Sequence, residues 1–110
     1  MPSYSKNDVV LVRYPYTDLT SAKVRPAAVV GAPSVSQDIF IVPLTSRVSS
    51  LDASEFALSD WSAAGLNRPT AVKRGLFTIH ESLVTVKIGS LSSPDAANLE
   101  SSVRSWLDLH

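Results

Sequence analysis

Apolar residues come in short runs along most of this chain and take up helical spacing only near its end. Val9-Val10-Leu11-Val12-Arg13-Tyr14 reads as a first strand. Pro15 cuts it short, because proline lacks the N–H a ladder needs. Tyr16 to Lys23 is polar and reads as a loop whose side chains can bond their own backbone. Val24-Arg25-Pro26-Ala27-Ala28-Val29-Val30 is the second strand, and its small or β-branched run from Ala27 to Val30 predicts burial on both faces. After the turn-like Gly31-Ala32-Pro33-Ser34, a third strand begins near Asp38. It runs through Ile39-Phe40-Ile41-Val42-Pro43-Leu44 into Thr45-Ser46-Arg47.

Val48 to Ala53 is small and polar and predicts a mobile segment. Glu55-Phe56-Ala57-Leu58 alternates as a half-buried strand does. Asp60 to Leu66 suggests one helical turn stopped by Gly65, and Asn67-Arg68-Pro69 a turn. Thr70 to Lys73, Leu76 to Ile79 and Leu83 to Gly89 are further strand-like runs. Ser93-Pro94-Asp95 opens a helix: serine as N-cap, proline in the first helical position, an acid in the first turn. Ala96, Leu99, Val103, Trp106 and Leu107 then recur three and four apart, giving a packing face. The pattern predicts an α+β, mostly β fold: a compact antiparallel sheet or small barrel with one C-terminal helix, as a single domain over 1–110.

Charge narrows the function. Ten Lys and Arg balance ten Asp and Glu, which counts against a long groove following many phosphates and favours self-association. Eight of the ten basic residues lie in 1–74. The absence of cysteine excludes disulfides and thiolate zinc sites. No apolar run approaches the roughly 18 residues of a membrane span, so the expectation is a soluble, cytoplasmic protein with no membrane partner. His80 and His110 are the only histidines, and no HxH or HExxH spacing occurs, so no metal and no cofactor are expected. No GxSxG elbow accompanies His80, and the four glycines make no phosphate loop.

Arg25 stands at the mouth of one buried strand and Thr45-Ser46 at the end of another. In one sheet, a fixed cation and a hydroxyl donor would converge as a site for a phosphate or a developing oxyanion. The plainer alternative is a strand-capping arginine and a turn-forming Thr-Ser pair. Lys23, Arg47, Arg68, Lys73 and Arg74 recur where loops are expected, near Tyr14, Tyr16 and Trp61 in sequence. Cations with interleaved aromatics suit a few nucleotides of single-stranded RNA. They equally suit a solvated surface over core aromatics.

Taken together, Asp8-Val9-Val10-Leu11-Val12, Tyr14-Pro15-Tyr16-Thr17-Asp18-Leu19, Lys23-Val24-Arg25-Pro26-Ala27-Ala28-Val29-Val30 and Ile41-Val42-Pro43-Leu44-Thr45-Ser46 resemble the MazF/PemK toxin family of type II toxin–antitoxin systems. Asp60 to Leu66 and Ile88-Gly89-Ser90-Leu91-Ser92 look like its PemK branch. The resemblance implies an SH3-like small β-barrel with a C-terminal helix, a homodimer, and a metal-independent endoribonuclease that cuts single-stranded RNA at a short sequence. It also implies a cognate antitoxin that occupies the RNA groove. The family's catalytic arginine and threonine match Arg25 and Thr45, with Ser46 in support. Tyr16, Thr17 and Asp18 in the loop, with Lys23, Arg47, Lys73 and Arg74, are the implied RNA contacts. Two other functions compete: a CcdB-like gyrase poison acting through the chain's end, and a decayed toxin that only binds antitoxin.

Overall fold

A computed structural model of the chain describes residues 4–13, 23–33 and 35–109. Seven strands and one helix follow in the order β1 Asp8–Arg13, β2 Val24–Gly31, β3 Asp38–Thr45, β4 Phe56–Ala57, β5 Ala71–Val72, β6 Phe77–His80, β7 Val84–Ser90 and α1 Ser93–Trp106. A single 3-10 turn, Glu81–Leu83, joins β6 to β7. The fold is α+β and mostly β, as the patterning predicts. All pairings are antiparallel, in the order β4-β5-β3-β2-β1-β7, with β6 also on β3. The expected barrel is a correction in one respect: among the described residues no ladder joins β7 back to β4 or β6, so the sheet stays open.

The central strands β1, β2 and β3 are apolar through their middles because each face meets its own core there. Val9, Ala28, Val42, Leu44 and Val72 pack with Leu58, Ala64, Leu91 and Leu99, on the side of the helix. Val10, Val12, Ala27, Val29, Ile39 and Ile41 pack with Ile79 and Val84 in a second core. Successive side chains alternate across a strand, so Val9 and Val10, or Ala27 and Ala28, serve opposite cores. The predicted two-face burial holds for Ala27 to Val29, while Val30 is only half-buried against the first core.

The helix starts one residue earlier than its spacing predicts. Ser92, not Ser93, is the N-cap, and its hydroxyl accepts from the Asp95 N–H at 3.4 Å. Ala96, Leu99, Val103 and Trp106 face the first core as expected, but Leu107 lies beyond the helix and is exposed. Asp95 is fully buried. Its carboxylate accepts from the Ser59 N–H (2.9 Å), the Ser59 hydroxyl (3.0 Å) and the Asp60 N–H (3.0 Å). Burial pushes its carboxyl up, yet these donors together hold it below the usual value.

Candidate nucleic-acid groove

Register brings the two sequence-marked strand ends together. β2 pairs with β3 through Ala27↔Pro43, Ala28↔Val42 and Val29↔Ile41. Continued by two residues, this register sets Arg25 opposite Thr45. The ladder itself ends at Ala27↔Pro43, while Thr45 is paired on its β5 edge with Ala71.

A groove of about 780 Å³ opens at this point. Arg25 and Pro26 line it from β2, and Pro43, Leu44 and Thr45 line it from β3 with Ser46 and Arg47 beyond. Gly65, Leu66, Asn67 and Arg68 line it from the loop between β4 and β5, with Thr70 and Lys73 from β5 and its flanks. Leu11 and Ile88 add apolar surface. Four cations, Arg25, Arg47, Arg68 and Lys73, thus share one groove, and no carboxylate or imidazole is among its described lining residues. A chain of zero net charge carries here a local field that favours anions.

Thr45 is prepared as a donor. Its Oγ1 accepts from the Arg47 N–H at 3.1 Å, which closes a tight turn at the strand end. With that lone pair engaged, the hydroxyl proton is left to point at a bound anion. Arg25 is exposed, so its guanidinium is open to a ligand entering the groove.

The remaining expected contacts divide. Lys73 and Arg47 line the groove; Lys23 and Arg74 do not, although both are exposed nearby in sequence. The Arg74 backbone is tied down instead: its N–H donates to Glu55 Oε2 at 2.7 Å, while Glu55 Oε1 accepts from the Asp52 N–H at 2.8 Å. Those backbone donors, Arg74 first, hold the Glu55 carboxyl below its usual range. They also brace the segment expected to be mobile, where Glu55 N–H donates back to the Asp52 carbonyl. Tyr16, Thr17 and Asp18, with Tyr14, lie outside the described residues. Trp61 is half-buried against the first core rather than offered as a stacking platform. His80 sits at the end of β6, caps the 3-10 turn, and bonds Ser82 and Gln37 away from the groove.

The loop that carries Asn67 and Arg68 follows directly on the single helical turn, stopped by Gly65, that its sequence suggests. Residues 59–65 form consecutive turns, and Gly65 (φ 86°) ends them in the left-handed conformation. Leu66 N–H donates to the Trp61 carbonyl and Gly65 N–H to the Ser62 carbonyl, each at 3.1 Å, the bond pair that closes many helix ends. Nothing in the local sequence marks Asn67 as a site residue; the fold carries it to the groove that Thr45 also lines.

An antiparallel sheet with one terminal helix and a cationic groove at the ends of β2 and β3 defines a small, mostly β domain. Comparison with known proteins is more specific. The family model of the PemK-like, MazF-like toxins of type II toxin–antitoxin systems matches residues 5–107, and the chain belongs to that family. Among solved structures, the Mycobacterium tuberculosis toxin MazF-mt6 is similar at 21% identity, covering 94% of this chain and 98% of that one, with a TM-score of 0.74. An endoribonuclease in complex with its cognate antitoxin, from a mycobacterial species, aligns over 98% of both chains at 15% identity and a TM-score of 0.76. A MazE–MazF complex from Deinococcus radiodurans gives 16% identity, 97% and 98% coverage, and a TM-score of 0.76. These likenesses bear on the fold. No curated protein matches the chain in sequence.

Proposed function

We propose that this chain is a metal-independent endoribonuclease that cuts single-stranded RNA and is silenced by a cognate antitoxin. The observation that carries the reading is that Arg25 and Thr45 line one groove, together with three further cations and no described carboxylate. RNA brings its own nucleophile, so the protein must hold the scissile phosphate and stabilise added negative charge. The 2′-oxygen attacks the adjacent phosphorus and the bond to the 5′-oxygen breaks. The 2′-hydroxyl proton leaves, and the departing 5′-oxygen gains one. The products are a 2′,3′-cyclic phosphate and a 5′-hydroxyl. Arg25 supplies a planar fork of donors to the phosphate, and Thr45, with Ser46 beside it, supplies a hydroxyl donor. Arginine stays protonated far above neutral pH, so Arg25 acts by charge and not as the base. Arg47, Arg68 and Lys73 hold neighbouring phosphates.

The antitoxin follows from the same groove. A segment with acidic and apolar side chains that folds on binding would match the cations together with Leu11, Leu44 and Ile88. The family's toxin–antitoxin setting and the two solved complexes with antitoxin support this partner.

A gyrase poison has one observation on its side: Leu107 and Leu109 are exposed near the chain's end. That activity leaves Arg25 and Thr45 without a task. Incubating the purified protein with bacterial RNA in EDTA, beside a gyrase supercoiling assay, separates the two. The proposal expects defined RNA fragments with 5′-hydroxyl ends in EDTA and normal supercoiling. Intact RNA, or cleavage abolished by EDTA, contradicts it.

A further inference from the structure

Asn67 and Arg68 are polar side chains on a braced piece of backbone. Both are exposed and line the groove, and no described residue bonds either side chain. Their backbone is held from three directions. The turn before them is locked at Gly65, which lies so close to β7 that a Cβ there would collide with the Ile88 carbonyl. A Cβ on Gly89 would likewise strike the Ala64 carbonyl, so the two glycines make a backbone-to-backbone seam. Behind the turn, buried Asp95 fixes Ser59 and Asp60, and Asp60 Oδ1 accepts from the Ala63 N–H at 3.2 Å. After it, the hydroxyl of buried Thr70 donates to the Arg68 carbonyl at 2.9 Å.

We infer that Asn67 reads a base beside the scissile phosphate and that Arg68 anchors the same nucleotide. The inference rests on the endoribonuclease reading above. With the phosphate held between Arg25 and Thr45, the adjoining nucleotide lies over the segment that leads into β5. The Asn67 amide presents one acceptor and two donors side by side, the pattern that pairs with an adjacent donor and acceptor on an unstacked base edge. Arg68 offers charge to the phosphate or a planar face to the base. A reader discriminates only if its backbone cannot shift to suit the wrong base. The Gly65–Gly89 seam and the Asp95 latch supply that rigidity.

The test is end-sequencing of the fragments released from a randomised single-stranded RNA pool, by wild type, Asn67→Ala, Asn67→Asp and Arg68→Ala. Both residues are exposed, so folding should survive, and circular dichroism with a melting curve checks it. In Asn67→Ala the base preference at one position flanking the cut should fall by roughly fivefold or more, the discrimination a bidentate side chain gives, while preferences at other positions persist. Asn67→Asp exchanges donors for an acceptor and should change which base is favoured there. Arg68→Ala should weaken cleavage of every sequence and leave the profile's shape intact. Wild-type profiles from both Asn67 variants would overturn the inference while leaving the nuclease reading standing. No cuts by wild type would defeat the nuclease reading, and this inference with it.

Discussion

Thr45 accepts the Arg47 N–H at its Oγ1, and on the proposed function the proton of the same hydroxyl serves the bound phosphate. Asp95 is the other residue whose chemistry reaches beyond its own position. Its depressed carboxyl makes stability depend on pH in a defined direction. A group whose folded value lies below its ordinary 3.8 contributes fully above that value and loses its contribution as pH falls through the folded one. At neutral pH, Asp95→Asn should therefore be less stable than wild type by about 1–3 kcal/mol, the worth of charged hydrogen bonds exchanged for neutral ones. The gap should shrink as pH falls below the ordinary value. Melting curves at about pH 7 and about pH 3 check this, and an unchanged gap would contradict it. Arg25 and Thr45 were legible because strand-end cations and hydroxyls stand out against apolar runs. Asp95 was legible only as a first-turn acid. Its bonds to Ser59 and Asp60 depend on the docking of two distant segments, which no local pattern encodes.

At the scale of elements, β1, β2 and β3 could be read within a residue or two, since unbroken apolar runs leave few alternatives to strands covered on both faces. The helix start slipped by one because Ser92 and Ser93 are chemically equal candidates, and the bond to the Asp95 N–H decides between them. The single helical turn over 60–66 is readable because Gly65 signals its stop, and Gly65 does close it in the left-handed conformation. The contact of that stop with Gly89 joins residues far apart in sequence, so neither glycine announces its partner. Gly89→Ala should destabilise the fold by about 1–3 kcal/mol as the seam is forced apart. It should also blunt RNA-site preference more than it lowers stability would explain. Chemical denaturation beside fragment sequencing measures both, and wild-type stability would contradict the close approach.

For the molecule as a whole, zero net charge hides a cationic groove in a sheet that is open among the described residues. Exposed Phe40, Leu76 and Phe77 on or near β3 and β6 add apolar surface. A homodimer follows as an expected outcome: sedimentation equilibrium at micromolar concentration should give twice the 11.8 kDa chain mass, and a single 11.8 kDa species would contradict it. The central claim is narrower, that Arg25 stabilises the transition state of RNA cleavage beside Thr45. The most direct measurement is single-turnover cleavage of a short RNA, beside a binding titration at fixed salt. Arg25→Ala should lose roughly 10²–10³ in rate or more while retaining most binding, since other cations share the phosphates. Arg25→Lys should recover little of that loss, because a point charge lacks the fork, while Thr45→Ser should keep more activity than Thr45→Ala. Wild-type cleavage by a correctly folded Arg25→Ala protein would contradict the account.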